Sequence, residues 1–189
     1  MDEKLQIQKV LKGDNSAFGY FVDTYQDMAM TIAYRVCGNM QDAEDIVQDA
    51  FVKAFHNLHT FKSGSKFSTW FYSIVYNTAV TQIRSSSYNI QYVDYENMDV
   101  SDMYTDFDTI SQIEEEEKKK MINMALEKMP RDEALILTLF YLEENSIKDI
   151  VKITGLTESN IKVKMHRARK KFHEIFLMKN EKFNNYETG

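Results

Sequence analysis

Glycine and proline are scarce in this chain, with six glycines and one proline among 189 residues. Tight turns between strands are usually built from glycine, proline and asparagine, so this scarcity favours helices joined by few turns. It also excludes the glycine-rich loops that hold nucleotide phosphates. The composition therefore favours an all-α protein.

Cysteine occurs once, at Cys37. A single thiol excludes an intramolecular disulfide and a CxxC metal site, and it suits a reducing compartment. No run of about 18 apolar residues is present, so no transmembrane helix is expected. The first residues lack the basic-then-apolar pattern of a secretory signal, and we therefore expect a cytoplasmic protein.

Acidic charge is concentrated in the middle of the chain. The net charge is −6; residues 85–117 contain ten acidic residues and no Lys or Arg, whereas residues 118–189 have five more basic than acidic residues. Because like charges repel, residues 85–117 are expected to form a flexible acidic linker between two helical domains, residues 1–84 and 118–189. A basic excess confined to one segment is typical of a protein that binds a phosphate backbone.

Helical periodicity is visible in the N-terminal segment, where apolar residues lie three and four positions apart. Residues 61–66 separate two such runs and form a loop by composition. The first run contains Val47, Ala50, Phe51, Ala54, Phe55 and Leu58, and the second contains Phe67, Phe71, Ile74, Val75 and Thr78. The sequence therefore predicts an all-α fold with two small helical domains.

The most specific motif lies in residues 147–172. Residues 147–154 predict a short amphipathic helix, and Gly155 predicts a sharp turn because glycine takes a positive φ at little cost. Thr157 or Ser159 is then expected to cap a second helix. This order is the helix-turn-helix layout. The buried stripe of the second helix is predicted to contain Ile161, Met165, Ala168, Phe172 and Phe176.

The opposite face of the second helix has the side chains that DNA recognition requires. Small hydrogen-bonding residues near a helix N-terminus reach base edges, and long basic residues around them reach phosphates. The predicted DNA-binding residues are Ser159, Asn160, Lys162, Val163, Lys164, His166, Arg167 and Arg169, with Lys170 and Lys171 beside them. The alternative is an ordinary helical hairpin with a solvated basic face.

A second candidate surface follows the loop at residues 61–66. Trp70, Asn77, Thr81 and Arg84 share one helix face, opposite Phe71, Val75 and Thr78, and the loop holds Lys62 and Lys66. Aromatic rings stack on unpaired bases and lysines neutralise phosphates, so this face is expected to receive a separated DNA strand. The alternative is that Trp70 belongs to the core, where tryptophan is largely buried.

These motifs resemble those of bacterial sigma factors of the sigma-70 family. Residues 130–172 are similar to region four, and His166-Arg167-Ala168-Arg169 is close to a signature of the extracytoplasmic-function (ECF) subfamily. Residues 42–51 resemble the helix of region two that binds core RNA polymerase. Residues 67–71, with Asn77 and Arg84, resemble the part of region two that opens the promoter.

The resemblance implies a sigma factor with region two at the minus-ten element and region four at the minus-thirty-five element. It implies that Asp45, Gln48 and Asp49 bind the polymerase; the alternative is a plain solvated face. The implied partners are core RNA polymerase, promoter DNA and an anti-sigma factor, and the free protein is expected to be a monomer. The chain departs from the family pattern at Thr81, where aspartate is common, and at Val151 and Val163, where alanine and serine are common; it also has serines after Arg84, where arginine is common.

No enzyme, cofactor or metal is expected. The four histidines and the single cysteine do not form a ligand set of metal-site spacing, and no nucleophile–base pair is recognisable. Two other functions stay open on the sequence alone. One is a helix-turn-helix regulator that binds DNA without polymerase, which would require a dimer interface or an effector domain. The other is an enzyme that acts on nucleic acid.

Overall fold

The computed structural model describes residues 2–62, 64–85 and 122–184, with side chains as far as residue 175. Every regular element in these residues is helical, and the all-α prediction is confirmed. The chain divides into two compact units, Met1–Tyr92 with Lys148–Leu156 and Val93–Ile147 with Thr157–Gly189. Apart from Ser85, the predicted acidic linker lies outside the described residues, so the linker and the predicted domain boundaries stay predictions.

The N-terminal part of the first unit contains four helices and two short 3-10 turns. Its helices are α1 (Glu3–Leu11), α2 (Gly19–Cys37), α3 (Met40–Asn57) and α4 (Phe67–Ser85), and its 3-10 turns are Asn15–Phe18 and Leu58–Thr60.

Local signals set where α2 ends and α3 begins. Gly38 ends α2 with a φ of 86°, a conformation that glycine adopts at little cost. The side chain of Asn39 then accepts a hydrogen bond of 2.8 Å from the backbone N–H of Asp42 and caps α3. Together these two residues allow a short connection between long helices.

The core of the first unit is aromatic and centres on α4. Phe51 of α3 stacks on Phe71 of α4 with 4.5 Å between ring centroids, and Phe21 of α2 lies 4.4 Å from Phe67. Ten of the 19 residues of α4 are buried, because the helix packs against both α2 and α3. The positions buried beyond the predicted stripe are Thr69, Tyr72, Tyr76, Ala79, Val80 and Ile83.

In the second unit, a helical segment at residues 122–127 (α5) precedes α6 (Arg131–Leu137). Pro130 stands at the N-cap of α6. A π-helical turn, Thr138–Leu142, continues α6, and the long helix α8 (Glu158–Asn184) packs against α6. The core positions of α8 include Ile161, Met165, Ala168 and Phe172, which confirms the predicted stripe as far as the described side chains extend.

The predicted order of helix, glycine turn and helix is present. The first helix, α7 (Ile147–Thr154), is followed by Gly155 with a φ of 71°. Oγ1 of Thr157 accepts a hydrogen bond of 3.2 Å from the backbone N–H of Asn160 and so caps α8. No helix within the described residues is long and apolar enough to cross a membrane.

Candidate nucleic-acid interface

The outward face of α8 contains most of the residues that the sequence assigns to DNA. Ser159, Lys162 and His166 are exposed, and Asn160 and Arg167 are half-buried. Lys162 forms a surface ion pair of 2.9 Å with Glu158, one turn earlier. Exposed pairs of this kind contribute about 0–1 kcal/mol, so Lys162 can exchange Glu158 for a phosphate at little cost.

Val163 was predicted on the outward face of α8, and that placement is wrong because the residue is buried. Its side chain is 5% exposed and belongs to the core, beside Ile161 and Met165 in the sequence. Burial of the valine isopropyl group stabilises the fold. The same group cannot form a hydrogen bond to a base. The first half of α8 is therefore buried on more than one side, and fewer of its positions are open to DNA than a single-stripe pattern predicts.

Two of the predicted phosphate-binding cations contact side chains of their own unit. Lys164 pairs with Asp132 in the first turn of α6, and the Lys164 side chain is 13% exposed. Nε of Arg169 donates a hydrogen bond of 2.9 Å to Oη of Tyr141. Both partners lie on elements that pack beside α8, so these contacts join α8 to its own domain.

Glu133 gives the same region a half-buried acidic residue. Its Oε2 is buried and has no hydrogen-bond partner among the described residues. Burial raises the pKa of Glu133, and neighbouring Asp132 raises it further, while Lys171, Lys164 and Arg167 oppose the change. The cations of α8 therefore face two carboxyl groups on α6, which sequence spacing alone did not indicate.

An open groove of about 410 Å³ lies between α3 and α4 in the first unit. Trp70 stands in it half-buried, 5.4 Å from each of the rings of Phe61 and Phe67. One part of the Trp70 ring therefore packs on the core and another part faces the groove. The remaining lining consists of Lys53, Asn57, Thr60, Ile74, Asn77, Thr78 and Thr81.

Five of these groove residues, Thr60 among them, were not predicted on this face. Lys53 and Asn57 come from the exposed side of α3, and Nζ of Lys53 donates a 3.2 Å hydrogen bond to Oγ1 of Thr78. Thr78 and Ile74 were assigned to the apolar stripe of α4, yet they line the groove as well. The spacing of Lys53 and Asn57, one helical turn apart, was the available signal, but it did not indicate which helix faces them.

The other predicted residues of the first unit are at the surface. Lys62, Lys66 and Arg84 are exposed, and the first two lie in the loop that leads into α4. Asp45, Gln48 and Asp49 are exposed on α3, while Val47 and Phe51 on its other side are buried. The three residues of the predicted acidic face are therefore accessible to a partner.

Within the described part of the chain, no group of three or more His, Cys, Asp or Glu side chains is placed to hold a metal ion. His56 and His59 are exposed, and Nδ1 of His59 lies 3.0 Å from the carbonyl oxygen of His56. The imidazole of His59 therefore contacts the backbone, and the two imidazoles do not converge on a common metal ion.

Comparison with known proteins matches both halves of the chain. The family model for sigma-70 region 2 matches residues 21–88, and that for sigma-70 region 4 matches residues 119–172. The ECF RNA polymerase sigma factor SigW of Bacillus subtilis is 32% identical over 173 residues, which cover 88% of this chain and 92% of that protein. The ECF RNA polymerase sigma-E factor of Haemophilus influenzae is 29% identical over 175 residues, which cover 89% and 92%.

Solved structures show the same fold. CnrH, in complex with the cytosolic domain of CnrY, gives a TM-score of 0.57 at 21% identity and covers 92% of this chain and 96% of that one. The sigma factor RpoE of Bartonella quintana, in complex with the anti-sigma factor NepR, gives a TM-score of 0.57 at 23% identity and covers 84% and 95%.

A region 2 and a region 4 in one chain define a sigma factor of the sigma-70 class. The identity to SigW over nearly its whole length then gives the subfamily: the chain belongs to the ECF RNA polymerase sigma factors. It is a transcription initiation factor that binds core RNA polymerase and directs promoter recognition.

Proposed function

We propose that this sigma factor contacts promoter DNA with two separate surfaces, the groove between α3 and α4 and the outward face of α8. The groove receives a separated strand of the minus-ten element, and α8 reads the duplex of the minus-thirty-five element. The observation that carries the proposal is the half-buried Trp70 in an open groove whose other lining is mainly polar.

The groove has the chemistry of a single-strand binding site. The exposed part of Trp70 can stack on a base, which is worth about 1–3 kcal/mol per base. Asn77 and Thr81 are exposed and offer hydrogen bonds to base edges, and Lys53 supplies a positive charge. Lys62, Lys66 and Arg84 extend the positive charge beyond the groove, where a strand backbone would continue.

The outward face of α8 has side chains suited to sequence-specific binding of double-stranded DNA. Ser159 and Asn160 stand in its first turn, where short side chains reach base edges, and His166 and Arg167 follow two turns later. Arginine is the commonest partner of guanine in the major groove. Lys162 and Lys170 are exposed and suit phosphates on either side.

We place core polymerase on the exposed face of α3. Asp45, Gln48 and Asp49 form an acidic and polar strip, and exposed Val52 adds an apolar side chain one turn beyond Gln48 and Asp49. The acidic side chains would attract a basic surface of the partner, and the Val52 side chain would be buried against it. The groove lies on the α4 side of α3, so the groove and the strip can be occupied together.

The remaining parts of the proposal follow from the family. One structural neighbour, the sigma factor RpoE of Bartonella quintana, is bound to the anti-sigma factor NepR, and we propose that this chain also has an anti-sigma partner. We infer that the chain acts in the cytoplasm and that the catalytic step of transcription belongs to the polymerase. The free chain is expected to be monomeric.

The groove is tested with the full chain and a pool of random single-stranded 15-mers. Trp70 is the only tryptophan, so its fluorescence reports on the groove directly. We expect the single strands to quench it and a blunt duplex of equal length to quench it far less. Trp70→Ala should weaken binding of labelled single strands by about 1–3 kcal/mol.

Tyr34→Ala is the matched control, because Tyr34 is an exposed aromatic residue on α2 away from the groove. It should leave the affinity unchanged. Asn77→Ala serves as a second groove variant, since Asn77 is exposed and its truncation does not disturb the core. Equal affinities for wild type and both groove variants would contradict the assignment of the groove to DNA.

A further inference from the structure

Arg169 of α8 is engaged by two aromatic residues of the π-helical turn. Its Nε donates the 2.9 Å hydrogen bond to Oη of Tyr141. Its guanidinium carbon lies 5.7 Å from the centroid of the Phe140 ring and 5.6 Å from that of the Tyr141 ring, both within cation–π range. The rings themselves meet edge to face, with 4.9 Å between centroids. The guanidinium group is therefore held by two aromatic side chains of its own unit, at the surface.

The π-helical turn places these rings where Arg169 can reach them. In such a turn the hydrogen bonds span five residues, as in the 3.2 Å bond from the N–H of Glu143 to the carbonyl oxygen of Thr138. The wider turn changes the direction of the side chains, so that Thr138 and Leu139 are buried while Tyr141 is 43% exposed. π-helical turns occur frequently at functional sites.

Arg169 and Lys164 lie on opposite flanks of the buried stripe of α8. At about 100° per residue, each lies about 70° from the centre of the stripe. On one flank, Lys164 forms an ion pair with Asp132 of α6. On the other flank, Arg169 donates a hydrogen bond to Tyr141. Two polar contacts on opposite flanks restrict the rotation of α8 about its own axis. They thereby determine where His166 and Arg167 point.

The rotation of α8 matters because hydrogen bonds to bases are short and directional. With side chains included, an α-helix has a radius of about 5–6 Å, so a rotation of about 10° displaces a side-chain tip by about 1 Å. A shift of that size is enough to break a hydrogen bond to a base edge. Contacts with phosphates, which depend mainly on charge, tolerate the same shift better.

We propose that Arg169 is a positioning residue that sets the sequence preference of α8 through Phe140 and Tyr141, and that it does not contact a DNA phosphate. This inference rests on the proposed binding of duplex DNA by α8. It assigns a role to the π-helical turn as well, because the turn supplies both partners of the guanidinium. A lysine cannot replace Arg169 in this role, since it lacks the planar group and the Nε donor.

The experiment measures two properties of the full chain with a pool of random-sequence duplexes. The first is the dependence of the binding constant on salt, which counts phosphate contacts. The second is the sequence preference, read by sequencing the bound fraction. Arg169→Ala should leave the salt slope unchanged and reduce the preference for the best sequences over the pool. Tyr141→Phe, which removes one hydroxyl, should reduce the same preference by about two- to tenfold.

Lys170→Ala is the matched control, because Lys170 is the adjacent exposed cation on α8. It should lower the salt slope by about one and keep the sequence preference. The double variant with Arg169→Ala and Tyr141→Phe should be no worse than Arg169→Ala alone, because both changes remove one contact. Arg169→Lys keeps the charge and should not restore the preference.

Three outcomes separate the possibilities. If Arg169→Ala lowers the salt slope by about one and Arg169→Lys restores it, Arg169 is a phosphate contact and the inference is overturned. If Arg169→Ala and Tyr141→Phe leave the wild-type preference unchanged, the positioning role is overturned while DNA binding stands. If the wild-type chain selects no sequence from the pool, duplex recognition by α8 itself fails.

Discussion

Lys164 of α8 and Asp132 of α6 form an ion pair in which the lysine side chain is 13% exposed and the aspartate side chain 56% exposed. The carboxylate stands in the first turn of α6, where negative charge is favoured by the helix dipole. The pair therefore joins the first turn of α6 to the N-terminal part of α8, and it neutralises a charge that was predicted to bind DNA.

We expect Lys164→Ala to lower the free energy of unfolding by about 1 kcal/mol, because it breaks a partly exposed ion pair. The salt slope of DNA binding should stay unchanged, since Lys164 is already neutralised by Asp132. Asp132→Asn should raise that slope by about one, because it frees the ammonium group for a phosphate. Chemical denaturation measures the free energy of unfolding, and binding titrations at several salt concentrations measure the salt slope. A lower salt slope for Lys164→Ala would contradict this prediction, because it would show that DNA displaces Asp132 from Lys164.

Glu133 makes the stability of the second unit depend on pH. Burial raises its pKa above the ordinary value of 4.5. A carboxyl group whose pKa is higher in the folded chain binds more protons there, so the free energy of unfolding falls as the pH rises from the unfolded to the folded pKa. We expect Glu133→Gln to raise the melting temperature relative to wild type near pH 7 and to leave it unchanged below about pH 4.

Thermal unfolding followed by circular dichroism across this pH range measures the difference. Glu127→Gln is the control, because Glu127 is an exposed glutamate of α5 in the same unit. A lower melting temperature for Glu133→Gln near pH 7 would show that attraction to Lys171, Lys164 and Arg167 outweighs the cost of burial.

The acidic strip of α3 is tested by its affinity for core polymerase. Asp45→Arg combined with Gln48→Ala should weaken binding by at least tenfold, because it places a like charge on the proposed basic partner surface. Asp23 and Gln26 on α2 have the same spacing and are also exposed. The same two substitutions there should leave the affinity in a titration close to that of wild type, and an equal loss in both double variants would indicate a general charge effect.

Lys53 is expected to be a phosphate contact of the groove. Lys53→Met keeps most of the side-chain volume and removes the charge, so the salt slope for single strands should fall by about 0.7. The hydrogen bond to Thr78 is also lost, but it joins two side chains at the groove rim and its removal should leave the fold intact. Lys12→Met, at an exposed lysine just after α1, should leave the slope unchanged.

The helices and their ends were predictable from the sequence because local residues determine them. Gly155 and Thr157 set the turn between α7 and α8 through a positive φ and a side-chain cap, and both features can be read without the rest of the fold. The stripe from Ile161 to Phe172 is equally local, since it follows from the period of the helix.

The environment of α8 was not predictable in the same way. Lys164 and Arg169 find partners 32 and 28 residues earlier in the chain, and no local pattern connects residues that far apart. Val163 is buried although its position in the helix period is opposite Ile161, which shows that more than one side of α8 is covered. A face defined by period alone therefore overstates the number of residues that DNA can reach.

The burial of much of α4 limits which of its positions can change the proposed groove. Only Asn77, Thr81, Arg84 and Ser85 of its 19 residues are exposed, and the first three lie at intervals of four and three along one face. Exchanges at these positions alter the groove and its exit without disturbing the aromatic core. If the groove binds a DNA strand as proposed, new base preferences can arise there by single substitutions at low cost in stability, whereas substitutions at the buried positions of α4 destabilise the fold.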